Sequence, residues 1–76
     1  MDLASLQTFI AIAEQRSFSL AGERLHVTQP AISKRIASLE EQLGVRLFDR
    51  VGRETRLTEA GQALLPRAYR IVNELD

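Results

Sequence analysis

The sequence has no cysteine and only one histidine, and each of these gaps argues against a class of protein. Without cysteine the chain forms no disulfide and offers no thiolate to a metal, and His26 alone is a poor basis for a metal site. No second histidine or cysteine completes a nucleophile–base pair, so we do not expect an enzyme. We also expect neither a cofactor nor a small-molecule ligand within this chain.

Long hydrophobic runs are also missing. No apolar segment approaches the roughly 18 residues that a membrane span requires. The N-terminus lacks the basic and then apolar order of a secretory signal. We therefore expect a cytoplasmic chain with no membrane partner. Its 76 residues form at most one small domain, and the scarcity of aromatic residues (5%) beside 45% hydrophobic residues favours an aliphatic helical core.

The net charge is zero, but the charges are unevenly distributed along the chain. From Arg24 to Arg56, seven cations stand against four anions, which gives this segment a net charge of +3. Attraction to phosphate is screened within roughly 8–10 Å at cellular salt, so the local charge matters more than the total. The basic middle of the chain is compatible with binding to a nucleic acid, although the net charge of the whole chain alone would disfavour such a partner.

Two amphipathic segments open the chain. Apolar residues recur every three or four positions from Leu3 onward and predict a helix that ends near Gln15, with Asp2 as its cap. A second, short helix is predicted over residues 20–25. Either of two serines, at positions 17 and 19, is suited to cap it.

A tight turn at His26 leads into the third helix, because histidine tolerates a left-handed backbone. Thr28 is predicted to cap this helix, Pro30 to lie in its first turn and Gly44 to end it. Gly22 weakens the preceding helix relative to alanine, and we expect it to permit a close approach of helices. The inward edge of the third helix is the clearest apolar stripe in the chain: Ile32, Ile36, Leu39 and Leu43.

The remainder of the chain predicts a short hairpin and a last helix. Alternating residues over 45–50, a turn at Gly52 and a return over 55–57 indicate two β-strands. Thr58 then caps a helix whose apolar pattern continues to the last residue, with Pro66 inside it.

The stripe of the last helix has two interpretations. It could fold back onto the domain's own core, or it could form a heptad-like seam with a second copy of the chain. We favour the seam, because the helix predicted over residues 58–76 is longer than so small a core should cover. The predicted dimerisation residues are Leu64, Leu65, Ala68, Ile71, Val72 and Leu75.

Two short helices joined by a tight turn, the second of them strongly capped, form a helix-turn-helix pattern. On a helical wheel, the first half of the third helix turns small, polar or cationic side chains away from its aliphatic edge. Such a face fits the major groove of DNA, which is about 12 Å wide. The candidates for DNA contact in this helix are Thr28, Gln29, Pro30, Ser33, Lys34 and Arg35.

Each candidate also has an ordinary structural interpretation. Gln29 suits a hydrogen bond to an adenine edge, yet it could simply face solvent in the first turn. Arg35 lies beside the core face and could pair within the chain instead of with a phosphate. In the hairpin, Arg53 could enter a minor groove or remain merely exposed. Arg50 and Arg56 suit either phosphates or ion pairs within the hairpin.

These residues resemble the LysR-type transcriptional regulators over essentially the whole chain. The matching segments are residues 9–14 (FIAIAE), 17–18 (SF), 21–36 (AGERLHVTQPAISKRI), 39–50 (LEEQLGVRLFDR) and 56–61 (RLTEAG). The resemblance implies a mostly α fold: a winged helix-turn-helix of three helices and a short β-hairpin wing over residues 1–57. A long dimerisation linker helix is implied over residues 58–76. An effector-binding domain of periplasmic-binding-protein type is implied outside this chain.

The resemblance also implies residue roles and a function. Thr28, Gln29, Pro30, Ser33 and Lys34 match the family's recognition-helix contacts, and Arg53 matches its wing contact. Gly22 departs from the pattern, because the family more often has alanine there. The expected function is sequence-specific binding of double-stranded DNA by a homodimer on an interrupted dyad, with residues 28–43 in the major groove and the wing in the minor groove. A tetramer is conceivable for an intact regulator. The alternative is a helical protein-interaction module that dimerises without binding DNA.

Overall fold

The chain folds into four helices and one β-hairpin, and the computed structural model describes residues 1–74. In chain order the elements are α1 (Leu3–Gln15), α2 (Phe18–Leu25), α3 (Gln29–Leu43), β1 (Phe48–Val51), β2 (Glu54–Leu57) and α4 (Glu59–Glu74). The predicted fold, a mostly helical winged helix-turn-helix followed by a further helix, is confirmed. None of the helices in residues 1–74 combines the length and hydrophobicity of a membrane crossing.

Each helix begins at a side chain that accepts a hydrogen bond from its first turn. Asp2, Ser17, Thr28 and Thr58 each accept from the backbone N–H three residues later, at 2.8, 3.1, 3.3 and 3.1 Å. These caps satisfy N–H groups that have no partner within the helix, and each contributes about 1 kcal/mol. The predicted caps are therefore present. Because Ser17 is the capping serine, α2 begins at Phe18, earlier than predicted.

Three helices end at a residue with a left-handed backbone. Arg16 follows α1 with φ 55°, His26 follows α2 with φ 59° and Gly44 follows α3 with φ 71°. The predictions for His26 and Gly44 are confirmed. Arg16 was not foreseen, since an arginine carries no local signal for the left-handed region. Arg16 and His26 turn the chain sharply between consecutive helices, and Gly44 turns it between α3 and the hairpin.

The core is largely aliphatic and is built around α1. Most of its buried side chains come from α1, from the inward edge of α3 and from the base of the hairpin: Leu6, Phe9, Ile12, Ile32, Ile36, Leu39, Leu47 and Phe48. The stripe predicted for α3 is buried at its first three positions. Leu43, its fourth position, is 39% exposed. It is the last residue of α3, directly before Gly44 turns the chain away.

The last helix packs against α1, and much of its apolar stripe faces its own domain. Ala68 is completely buried, while Leu64, Leu65 and Val72 are half-buried against the core. The prediction that Ala68 belongs to a dimer seam is therefore wrong, because its side chain has no surface left for a second copy. The sequence argument underestimated α1, whose 13 residues at about 1.5 Å each span several turns of α4.

Other residues of α4 keep accessible surface. Ile71 is 38% exposed, which makes it the most accessible described member of the predicted dimerisation set. Leu75 lies outside the described residues. Pro66 is exposed within the helix, which continues on both sides of it from Glu59 to Glu74.

The start of α4 sits directly on the segment that precedes the wing. Thr58 donates from its hydroxyl to the carbonyl of Arg46 at 2.6 Å and from its N–H to the carbonyl of Leu47 at 2.9 Å. Gly61 approaches the same segment closely. A Cβ built on Gly61 would lie 2.3 Å from the carbonyl oxygen of Leu47 and 2.8 Å from Cδ2 of Leu57. Only glycine fits this contact.

Polar side chains join three helices at one edge of the domain. Glu14 in α1 forms an ion pair with Arg24 of α2 at 2.5 Å and accepts a hydrogen bond from the hydroxyl of Tyr69 in α4. The hydrogen bond from Tyr69, followed by that from Arg24, lowers the pKa of Glu14 below its ordinary value, and the Glu14 carboxylate raises the pKa of Tyr69. Glu14 therefore links α1 to both α2 and α4 through polar contacts.

Replacing Gly61 by alanine should destabilise the domain. The new Cβ would overlap the Leu47 carbonyl, so α4 must shift, and overpacking of this kind costs about 1–3 kcal/mol. Urea denaturation followed by circular dichroism measures the change in unfolding free energy. Gln62→Ala is the matched control, because Gln62 is exposed on the same helix turn. Equal stability of the two variants would contradict the proposed contact.

Replacing Tyr69 by phenylalanine should reduce stability in a pH-dependent way. The folded-state pKa of Glu14 is lowered below its ordinary value of 4.5. The stabilisation from its bonds is therefore present above that value and is lost as the pH falls through the folded-state pKa. Because Glu14 is well exposed, we expect a difference of about 0.5–1 kcal/mol at neutral pH.

Urea denaturation near neutral pH and in strong acid provides the measurement. The gap between Tyr69→Phe and the unmodified chain should close in acid. In a Glu14→Gln background the pH dependence of that gap should disappear. A gap that stays constant with pH would show that Glu14 does not depend on the Tyr69 hydroxyl.

Candidate nucleic-acid interface

The first turns of α3 present a polar surface to solvent. Four of the predicted residues here are exposed and Ser33 is half-buried: Thr28, Gln29, Pro30, Ser33 and Lys34. The opposite edge of the same turns is buried through Ile32 and Ile36. The orientation predicted from the helical wheel is therefore confirmed. The aliphatic edge faces α1, and the polar edge is available for a partner.

The placement of α3 depends on a tight turn between it and α2. The N–H of Val27 donates to the carbonyl of Gly22 at 2.9 Å. A Cβ on Gly22 would lie 2.7 Å from the carbonyl oxygen of Val27 and 3.6 Å from Cγ1 of Ile32. The close approach predicted at Gly22 is present, but its nearest neighbour is the backbone of the turn and not another helix. Gly22 thus lets the turn fold back onto α2.

The wing is a hairpin with a minimal loop. Its antiparallel strands end with Val51 opposite Glu54, so that Gly52 and Arg53 alone connect them. Gly52 has φ 63°, as expected for a glycine at the first position of a two-residue hairpin loop. Arg53 is exposed at this tip. The turn predicted at Gly52 is confirmed, and it carries a cation at the point farthest from the base of the wing.

A carboxylate of α3 holds the base of the wing. Glu40 accepts from the N–H of Leu47 at 2.7 Å and from the N–H of Phe48 at 3.4 Å. β1 begins at Phe48, which pairs with the last residue of β2, Leu57, and not at Val45, where the alternating pattern placed it. Sequence reasoning missed Glu40, because a glutamate within a helix carries no signal for a partner seven residues later. The contact ties the wing to α3.

The three wing arginines have different surroundings. Arg56 forms an ion pair with Glu54 at 2.7 Å, which is one of the two interpretations that the sequence allowed. Arg53 projects at the tip. Arg50 lies over the ring of Phe18 in α2, with 4.6 Å between its guanidinium carbon and the ring centroid. Arg56 therefore neutralises a carboxylate beside the tip, while Arg50 connects the wing to α2.

Arg35 is directed toward the inside of the chain. Its guanidinium donates to the hydroxyl of Thr8 in α1 at 3.4 Å, and Thr8 itself donates to the carbonyl of Ala4 at 2.8 Å. Thr8 is completely buried. The intramolecular interpretation of Arg35 is therefore the one observed, and the side chain joins α3 to α1. Thr8 was missed, although a threonine next to the apolar face of α1 was a visible clue.

A shallow groove joins the wing to the beginnings of α2 and α3. It is lined by Ser17, Phe18, Ser19, Gln29, Arg50, Gly52, Arg53, Glu54 and Thr55. Three predicted contact residues, Gln29, Arg50 and Arg53, thus share one surface. Ser33 and Arg50 also line a second groove between α3 and β1. The other candidates lie outside these grooves: Thr28, Pro30, Lys34, Arg35 and Arg56. Sequence reasoning did not select Phe18.

Two helices joined by a tight turn, α2 and α3, followed by a β-hairpin, define a winged helix-turn-helix domain. The profile of the bacterial regulatory helix-turn-helix proteins of the lysR family matches residues 3–62. The chain belongs to this family, as the resemblance implied. An uncharacterised HTH-type transcriptional regulator in the ibpB-leuC intergenic region of Azotobacter vinelandii is 76% identical over 76 residues, which are all of this chain and 53% of that protein.

Solved structures of the same family superpose closely. The CbnR_DBD–DNA complex matches with a TM-score of 0.94 and 43% identity, over 99% of this chain and 86% of that one. Full-length CbnR complexed with its target DNA matches with a TM-score of 0.92 and 44% identity, over 96% of this chain and 25% of that one. The chain thus spans about half the length of the Azotobacter relative and a quarter of full-length CbnR.

Replacing Glu40 by alanine should loosen the wing. The N–H groups of Leu47 and Phe48 would lose their acceptor, and an unsatisfied partly buried donor costs about 1–3 kcal/mol. Amide hydrogen exchange should accelerate in β1 and β2 more than in α1. Glu41→Ala is the matched control, because Glu41 is exposed on the same helix. Unchanged exchange in the hairpin would argue against this role of Glu40.

Proposed function

We propose that this chain binds double-stranded DNA in a sequence-specific manner as part of a transcriptional regulator. In this proposal α3 enters the major groove and the wing reaches the adjacent minor groove. The observation that carries it is the shared surface of Gln29, Arg50 and Arg53, beside the exposed first turns of α3. The similarity to CbnR_DBD, whose structure is a DNA complex, supports it.

The residues of this surface suit different parts of a duplex. Gln29 can donate to and accept from the edge of an adenine, and Ser33 and Lys34 are placed to contact bases or phosphates nearby. Pro30 offers an apolar ring to a thymine methyl group. The narrow minor groove of A/T-rich DNA concentrates negative potential, which suits Arg53 at the wing tip. Arg50 suits a phosphate, and so do the exposed side chains of Thr28 and Arg56.

The charge distribution supports the same assignment. The basic segment from Arg24 to Arg56 includes all of α3 and all of the wing except Leu57. Arg35 is the weakest candidate for a phosphate contact, because its guanidinium already donates to Thr8. The proposed activity is binding and not catalysis. A regulator of bacterial transcription acts on the chromosome, so we place this activity in the cytoplasm.

We further propose that residues 1–57 form the DNA-binding unit and that residues 58–76 link it to a second copy. Half-sites on a dyad are read by protein dimers whose symmetry matches that of the DNA. Ile71 is exposed, and Leu64, Leu65 and Val72 retain part of their surface, which supports a role of α4 in a homodimer. In a longer regulator such dimers can associate further into tetramers.

The first test is selection of bound sites from random duplexes, followed by titration at several salt concentrations. Specific binding should weaken by about 0.9 log units per log unit of salt for each phosphate neutralised. Gln29→Ala should cost roughly 1–3 kcal/mol and relax the preference at one base position. Both effects follow if Gln29 reads a base edge.

Gln42→Ala serves as the control for Gln29→Ala, since Gln42 is exposed at the far end of the same helix. It should bind the selected sites as the unmodified chain does. A chain that forms dimers but selects no site would point instead to a protein-interaction module. Unchanged affinity and base preference in Gln29→Ala would remove the base contact from the proposal.

A further inference from the structure

One side chain outside the predicted interface is in direct contact with it. Phe18, at the first turn of α2, lies beneath the guanidinium of Arg50, with 4.6 Å between the guanidinium carbon and the ring centroid. Both residues line the groove that also contains Gln29 and Arg53. The contact therefore bridges two elements, the wing and α2, at the surface where the proposed DNA contacts converge.

The ring of Phe18 is itself held by the core. It meets Phe48 edge-on, with 5.8 Å between centroids and 72° between ring planes. Phe48 in turn meets Phe9 at 5.4 Å, and Phe9 is completely buried. A line of aromatic contacts thus runs from the middle of the domain to Arg50. Because such pairs prefer defined geometries, the position of the guanidinium is coupled to the core.

Arg50 differs in this respect from the other wing arginines. Arg56 is held by Glu54, and Arg53 projects from the loop. Within residues 1–74, Arg24 and Arg56 form ion pairs with carboxylates, and Arg50 does not. A cation over an aromatic face is attracted by the ring while it keeps its positive charge. Arg50 is therefore both restrained and available to an anion.

The place of this cation follows from the proposed docking. When one element occupies a major groove and another the adjacent minor groove, the sugar–phosphate strand between the two grooves must pass between the elements. The groove between α3 and the wing tip lies in that path, and Arg50 is in its wall. We propose that Phe18 is a positioning residue that holds Arg50 against the phosphates of this strand.

This inference rests on the proposed function, and it predicts a specific dependence on the aromatic ring. An arginine that is already restrained loses less side-chain freedom when it binds a phosphate. Leucine at position 18 would fill apolar space but would remove the face on which the guanidinium rests. Tyrosine would keep that face. Lysine at position 50 would keep the charge but lose the planar guanidinium that stacks on rings.

The experiment is a double-mutant cycle on the full chain with a selected duplex, measured across a salt series. Phe18→Leu should weaken binding about two- to fivefold and should lower the salt slope toward that of Arg50→Ala, with the base preference retained. Phe18→Tyr should bind as the unmodified chain does. In the Arg50→Ala background, Phe18→Leu should have no further effect on affinity. Thermal unfolding verifies that each variant is folded.

If the unmodified chain binds the duplex and the effects of Phe18→Leu and Arg50→Ala on affinity are additive, the positioning role of Phe18 is overturned. The proposed function would not be affected by that result. A weaker Phe18→Leu complex with an unchanged salt slope would do the same. If Phe18→Leu fails to fold, the affinity of Arg50→Lys for the duplex provides the test. An affinity equal to that of the unmodified chain would overturn the inference. A loss of affinity close to that of Arg50→Ala would support it. An unmodified chain that binds no duplex would overturn the proposed function and this inference together.

Discussion

The packing of the aliphatic edge of α3 onto α1 is the constraint on which the rest of the interface depends. Ile32 and Ile36 are buried, and the faces of a helix cannot be chosen independently. Burial on one side therefore directs Pro30 and Lys34 outward. Gly22 adds a second constraint, because the turn that sets the first residue of α3 folds directly onto it. The polar face is a consequence of core packing as much as of its own residues.

Features that depend on neighbours in sequence were predictable. The cap at Thr28, the left-handed ends at His26 and Gly44 and the turn at Gly52 follow from local hydrogen bonding or backbone preference. Packing between segments that are distant in sequence was not predictable. The sequence pattern marks Ala68 as part of an apolar stripe, but it does not indicate whether α1 or a second chain covers that stripe. At Ala68 the length of α1 decides this in favour of the core.

The candidate site shows the same division. Helical periodicity was enough to place Lys34 on the outward face, and the family resemblance drew attention to Arg53. The contact between Phe18 and Arg50 joins α2 to β1, and no local pattern predicts which aromatic ring an arginine will meet. Thr8 is similar: its bond with Arg35 spans two helices and appears only when α1 and α3 are packed. The sequence shows which residues are present, but it does not show which residues of other elements they contact in the folded chain.

The carboxylate of Glu40 fastens the base of the hairpin to the helix that we propose enters the major groove. The distance between α3 and the wing is therefore set by the protein before it binds a duplex. A duplex bound as proposed has to offer both grooves at that spacing. Stiff tracts and flexible steps differ in how readily they do so. The protein would then distinguish base pairs that it does not contact by how easily the DNA deforms at those positions.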